Sequence, residues 1–489
     1  MSPEDFRRSG HAVVDWIADY RARTHSNAVT STARPGELLA RLPTSPPESG
    51  EGFAAVLQDL DALILPALAH WQHPRFFGYF PSNGDLASVL GDFLSTGLGV
   101  LGLTWQSAPA LTELEDRVTD WMRQMLGLST NWHGVIQDTA STSTLIAMLC
   151  ARERTTAHAA SRSGLQDGEP PLVVYTSAQA HSSVDKAVLL AGFGRDHLRK
   201  IETDAERALD ADRLRAAIAA DRAAGRRPCA IVATTGTTTT TAMDPVRACA
   251  EIAREHGLWL HVDAAMAGSA MILPECRRLW HGIEGADSVV VNAHKWLGAA
   301  FDCSLQFVRD PEHLVRVMST NPSYLQTDVD GQVKSYRDWG IALGRRFRAL
   351  KLWSLIRTHG TTGLQRRLRR DLDNARWLAE QIRAAPEWRI LAPVPLQTLC
   401  VRHEPPGLGG DDLDRHTLAW VERLHRSGRA FVTPAQLDDR WMVRVSIGAL
   451  ETERDHIAEL WQDMKTAANG SRPSAAGDGA AGNGAQDKT

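Results

Sequence analysis

The sequence has only six cysteines in 489 residues, at 150, 229, 249, 276, 303 and 400, and no two stand close enough to suggest a zinc knuckle or a disulfide framework. That usage fits a reducing compartment. No stretch reaches the ~18 apolar residues of a membrane span, and the opening MSPEDFRRSGHAVVDW lacks the uninterrupted apolar core of a signal peptide. A cytoplasmic chain without membrane contact is expected. An excess of charge of one sign is missing too: the formal net charge is −4, so no broad basic field exists to attract nucleic acid. Neither an HExxH pair nor an internal repeat occurs. These absences leave a small molecule as the expected ligand.

What is present is enough chain for two or three domains, 43% of it hydrophobic. Residues 5–21 space Phe6, Val13, Val14, Trp16, Ile17 and Tyr20 by threes and fours among charged residues, which predicts an amphipathic helix whose apolar face needs a partner. Residues 31–52, rich in Pro, Ser, Gly and Glu, read as an extended connection. From about 135 to 310, short apolar runs such as PPLVVYTS, PCAIVATTG, GLWLHVDAA and ADSVVVNAH alternate with helical stretches. That order predicts an α/β fold with a mainly parallel central sheet, whose ligand site lies at the carboxyl ends of the strands. Residues 321–340 are polar and broken by Pro, Asp and Gly, as in a surface linker or a lid. Further runs at WRILAPV, LQTLCVRH and RWMVRVSIGAL predict a smaller C-terminal α+β domain. The expected division is an N-terminal helical segment (1–80), a large α/β domain (81–350), a small domain (351–467) and a disordered tail (468–489).

Several residues could carry chemistry. Lys295, in NAHKW, follows the strand ADSVVVNA; partial desolvation there would lower its pKa and free its amine to attack an aldehyde. The plainer alternative is a solvated surface lysine. Asp263, ending the strand of HVDAA, wants a cationic partner such as a pyridinium nitrogen, or else caps the following turn. Thr139 and Ser141 in QDTASTSTL stand at a helix start suited to phosphate, and TTGTTTTT (234–241) adds a second hydroxyl cluster; both are also common as caps. His181 follows PPLVVYTS, where an imidazole can cover a ring, move a proton or serve only structure. The aromatic stretch HWQHPRFFGYFPS and VLGLTW could line an apolar pocket or a core. A rival set, His261, Asp263, His281 and His294, has metal-ligating residue types, but explains neither Lys295 nor the phosphate-suited turns.

Taken together, HVDAAMAGSA, NAHKWLGAAFDCS, SAQAHSSVDKA, HPRFFGYFPS, TWQSAPALTELE and LGRRFRALKLW resemble the aromatic-L-amino-acid decarboxylases of the group II pyridoxal-phosphate decarboxylases, in order over residues 1–465. The resemblance implies the fold type I of pyridoxal-phosphate-dependent transferases, pyridoxal 5'-phosphate as cofactor, no metal, and a homodimer with sites at the subunit interface and the N-terminal helix wrapped around the partner. It makes Lys295 the Schiff-base lysine, Asp263 the partner of the pyridinium nitrogen and His181 the residue stacked on the ring. Ala140, Ser141, Thr238 and Asn292 would hold the cofactor, with His294 near its phosphate. Ser82 matches a substrate-contacting threonine, and Trp71, Tyr79, Phe80, Pro81, Leu101 and Leu103 would form an apolar side-chain pocket. Tyr336, on a loop that closes over the neighbouring site, would return a proton to the substrate carbon. Gly344 matches relatives that accept indole rings. Asp138, Thr139, Met266 and Leu103 depart from the usual residues and bear on substrate choice. The implied reaction is decarboxylation of an aromatic L-amino acid, tryptophan ahead of phenylalanine, tyrosine and DOPA. The alternatives are an oxidative aldehyde synthase of the same family and a catalytically silent cofactor-binding protein.

Overall fold

The computed structural model describes residues 1–165, 170–320 and 332–470. Seven strands, β1 (His133–Gln137), β2 (Leu172–Ser177), β3 (Leu198–Ile201), β4 (Arg227–Thr234), β5 (Trp259–Asp263), β6 (Ser288–Asn292) and β7 (Ser304–Val308), form one sheet in the order β1-β7-β6-β5-β4-β2-β3. The pairings from β3 through β2, β4 and β5 to β6 are parallel, and β7 is antiparallel to both its neighbours. The sheet is therefore mainly parallel, as the alternating pattern requires, with one reversed strand. The reversal has a local cause. The link 293–303 carries the Lys295 turn and no crossover helix, so the chain can only come back antiparallel.

Strands β2, β5 and β6 are buried along their whole length, which is why they read as unbroken apolar runs rather than alternating ones. In β6, Val289 and Val291 face the main core while Val290 packs with Ala140 and Ala265 on the other side. Register sets Thr234 opposite Asp263, and Asp263 opposite Val290, so the carboxyl ends of β4, β5 and β6 stand abreast.

A second, fully antiparallel sheet follows: β8 (Trp388–Ile390), β9 (Thr398–His403), β10 (Thr433–Leu437) and β11 (Arg440–Ser446), in the order β10-β11-β9-β8. Its core sets Trp388 edge-on to Trp420 and Trp461, beside Leu399, Val401, Val443 and Val445. The helix Arg348–Ala384 leads into it; the expected boundary at 350/351 falls inside this helix, whose backbone leaves helical geometry at Gly360 (φ +61°, ψ 170°). The amphipathic N-terminal segment is the helix Pro3–Arg23, opened by a reciprocal Ser2–Asp5 cap, and none of its residues is buried. Within the expected connection 31–52 a short helix forms at Glu37–Arg41. The final helix runs to Asn469, past the expected start of the tail at 468; the rest of that tail (471–489) and the lid residues 321–331 lie outside the described residues.

The cations of RRFRALK are each matched by an acid: Arg345 with Glu115 (2.7 Å), Arg346 with Asp92, Arg348 with Asp302 and Lys351 with Asp92. Only the first pair has both side chains within 4% of full burial. Arg345 also donates to the Ile136 carbonyl, and Glu115 accepts the Ile136 N–H, so the pair clamps β1. Arg345→Met should therefore cost about 3–5 kcal/mol by stranding a buried carboxylate, while Glu115→Leu/Arg345→Met recovers most of it. Denaturant midpoints of the two variants check this.

Candidate active site

The strand ends converge on a cleft of about 190 Å³ whose lining includes Phe80, Thr139, Ala140, Ser141, His181, Thr238, Asp263, Asn292, His294 and Lys295. Each arrives for a local reason. Asp263 ends β5, and Asn292 ends β6. Lys295 sits in a π-type turn, Ala293–Leu297, that begins where β6 stops, and it leaves helical geometry there (φ −97°, ψ −113°). Ala140 opens the helix Ala140–Thr155, whose N-terminus has no side-chain cap. His181 follows β2.

The electrostatics favour a neutral amine. Burial pushes the Lys295 ammonium below the ordinary lysine value of 10.5; the Asp263 carboxylate pulls back toward the charged form, and Arg444 adds to the depression. Burial likewise lowers His181, with Asp263 opposing it. The His181 Nδ1 accepts the Ser183 N–H (3.1 Å), so a neutral imidazole carries its proton on Nε2. Burial brings His294 down to about 4, and its Nδ1 accepts the Cys303 N–H (2.9 Å), which again leaves Nε2–H as the donor. The Asp263 Oδ1 accepts the Ala265 N–H at 3.0 Å, which fixes the carboxylate's orientation.

The cleft suits a phosphorylated pyridine aldehyde. It offers an amine of lowered pKa, a single carboxylate, uncapped amides at a helix N-terminus, and two buried polar atoms, Asn292 Oδ1 and Thr234 Oγ1, without hydrogen-bond partners. The metal-ligating set does not assemble. His281 is exposed and His261 faces Ser288 (2.8 Å) and Thr144; among the described residues no three His, Cys, Asp or Glu side chains are grouped for an ion.

Comparison with known proteins decides the family. The pyridoxal-dependent decarboxylase conserved domain matches residues 35–404. The chain belongs to the pyridoxal-dependent decarboxylases. It is 37% identical to tyrosine decarboxylase 4 of Petroselinum crispum over 479 residues, covering 95% of this chain and 93% of that one. It is 38% identical to the phenylacetaldehyde synthase of Arabidopsis thaliana, covering 96% and 97%. The crystal structure of Oryza sativa TDC with PLP and tryptamine superposes with a TM-score of 0.93 at 35% identity, covering 96% of this chain and 99% of that one. This decarboxylase thus has the fold type I architecture and is a carboxy-lyase dependent on pyridoxal phosphate.

Not every residue singled out from the decarboxylase sequence reaches the cleft within one chain. Trp71 and Tyr79 stack on each other (5.4 Å) at the surface, half of Tyr79 being exposed. Pro81 packs against Gly448, and the Ser82 carbonyl accepts from Gln72. Leu101 and Gly344 are exposed and Leu103 is half-buried. Tyr336 is buried in the turn Tyr336–Trp339, its ring under the Arg345 guanidinium (4.9 Å) and its hydroxyl 3.5 Å from Asp116 and the Gly134 carbonyl.

The decarboxylase also has a residue the motifs did not flag. Arg444, on β11, is 3% exposed, lies 4.8 Å over the Phe80 ring, donates its Nε to the Thr239 carbonyl, and has a buried Nη2 without a partner. Its signal in the sequence was a lone cation inside the apolar run MVRVS.

The depressed lysine has a measurable consequence. With Lys295 as the cofactor's lysine, the rate at which apoprotein captures pyridoxal phosphate should level off below pH 10.5, since the neutral amine is the reactive form. Asp263→Asn should move that midpoint lower still, because it removes the charge that opposes desolvation; stopped-flow absorbance across pH reads both.

Proposed function

We propose that this carboxy-lyase releases carbon dioxide from an aromatic L-amino acid, tryptophan ahead of phenylalanine, tyrosine and DOPA, to give the arylalkylamine. The observation that carries the reading is the convergence of Lys295, Asp263 and His181 beside an uncapped helix N-terminus in one cleft. When bound, pyridoxal phosphate supplies an aldehyde for the substrate amine and an electron-accepting ring. Ala140, Ser141, Thr238, Asn292 and His294 would hold it, and Asp263 would supply the negative charge that keeps its ring nitrogen protonated. His181, in the lining of the same cleft, would stack on the ring. Lys295 would hold the cofactor through its aldehyde, and Arg444, with its unpartnered buried Nη2, would be available to a substrate carboxylate. By the family resemblance Tyr336 would return the proton to the substrate carbon, for which it has to leave the buried place under Arg345 that it holds within one chain.

The working unit in this reading is a homodimer in a reducing cytoplasm, in keeping with six unpaired buried thiols. Leu90, Phe93, Leu94 and Leu98 on the helix Leu86–Leu98, with Leu101 just beyond, are each 45–61% exposed, an apolar face that a second copy would cover. The same copy would cover the helix Pro3–Arg23 and bring Leu101, Leu103 and Gly344 to the opposite cleft, completing the side-chain pocket with Trp71, Tyr79, Phe80, Pro81 and Ser82. A Cβ added at Gly344 would meet Leu101 at 3.1 Å, so this glycine leaves Leu101 room to stand back from a wide ring.

Amine and carbon dioxide should both form from tryptophan with pyridoxal phosphate present, and Lys295→Ala should lose the visible cofactor band and the activity together. Gly344→Ser should lower the tryptophan-to-tyrosine ratio of kcat/KM on the order of tenfold. Tyr336→Phe should divert product toward the aldehyde, which product analysis by chromatography detects. Aldehyde as the main product of the parent protein would favour the synthase reading, and bound cofactor without any carbon dioxide the silent one.

A further inference from the structure

The turn that presents Lys295 is braced from outside the cleft. Its carbonyl takes a long bond from the Gly298 N–H (3.3 Å) and a second from Asn83 Nδ2 (3.1 Å). The other hydrogen of the Asn83 amide goes to the Gly448 carbonyl (2.8 Å), four residues beyond Arg444. Asn83 is 2% exposed and lies three residues after Phe80. One side chain thus joins the aromatic wall of the cleft, the lysine turn and the segment after β11. Neighbours reinforce the seat: the Asp85 N–H donates to the Gly298 carbonyl (3.0 Å), and the Ser88 Oγ accepts the Ala300 N–H (2.8 Å). From the other side Arg367 donates to the Trp296 carbonyl, and the Trp296 indole donates to Asp371 (2.9 Å).

We propose that Asn83 is a positioning residue for Lys295, fixing the lysine main chain relative to the small sheet so that the amine meets the cofactor aldehyde at one place in every turnover. The inference rests on Lys295 being the cofactor's lysine. A kinked turn outside any helical ladder has few bonds of its own to hold it, and two bonds from a buried amide remove much of its freedom. Packing alone would not need both hydrogens of the amide to be spent on carbonyls of separate segments.

The test is Asn83→Ala as holoenzyme, with the spectrum of the bound cofactor followed across pH. The expected result is a shifted pH midpoint of the lysine-linked visible band, cofactor release faster on the order of tenfold, and a fall in kcat with KM nearly unchanged. Asn83→Ser, too short to span both carbonyls, gives the same reading if the alanine variant does not fold. A lowered melting temperature with the band midpoint and release rate of the parent would overturn the proposal and leave Asn83 a structural residue. Lys295→Ala run alongside separates the two claims: if that variant kept the band, the lysine assignment itself would fall, whereas loss of the band there with parent behaviour in Asn83→Ala removes only the positioning role.

Discussion

A lysine amine short of water beside one buried carboxylate is the constraint on which the rest of the molecule depends. Desolvation favours the neutral amine, the reactive form, and Asp263 opposes it, so the distance between two strand ends sets the balance. That distance is fixed by the parallel register of β4, β5 and β6, which stands Thr234, Asp263 and the β6 terminus side by side. The register is held in turn by strands apolar on both faces, which cannot slip without stranding a polar end residue in the core.

The same turn shapes the sheet. Because the chain between β6 and β7 is given over to Lys295 and its bracing, no helix crosses there and β7 returns antiparallel. The turn is then gripped from two sides, by Arg367 and Asp371 of the long helix and by Asn83 of the segment after Phe80, whose amide also bonds the loop that follows Arg444. Lys295 is thereby tied to both sheets, and the buried cation Arg444, on the second of them, lies over the Phe80 ring in the cleft wall.

Several residues with a clear family counterpart do not meet the cleft in a single chain. Tyr336 is sunk against Arg345 and Asp116, and Leu101 stands on an exposed apolar face next to the helix Leu86–Leu98. An apolar face of that extent on one chain, together with an N-terminal helix burying none of its residues, would give the proposed second copy a physical reason to bind.

Taken alone, the sequence determined what depends on neighbours along the chain. Apolar runs marked the strands of the central sheet, the 3.6-residue spacing marked the first helix, and the motifs around His181, Asp263 and Lys295 named the family, because Asp263 ends a strand and the other two follow a strand within four residues. It missed the short helix at Glu37–Arg41, where five residues close a turn inside a Pro- and Gly-rich stretch, and it ended the last helix too early. Only the tertiary structure decided the strand order, the reversal of β7, and the arrival of Arg444 and Asn83 from segments about 150 and 210 residues from Lys295. A lone arginine in a strand and an asparagine in a turn carry no periodic signal; what gives them meaning is the desolvated space into which folding brings their unpaired or doubly paired hydrogens.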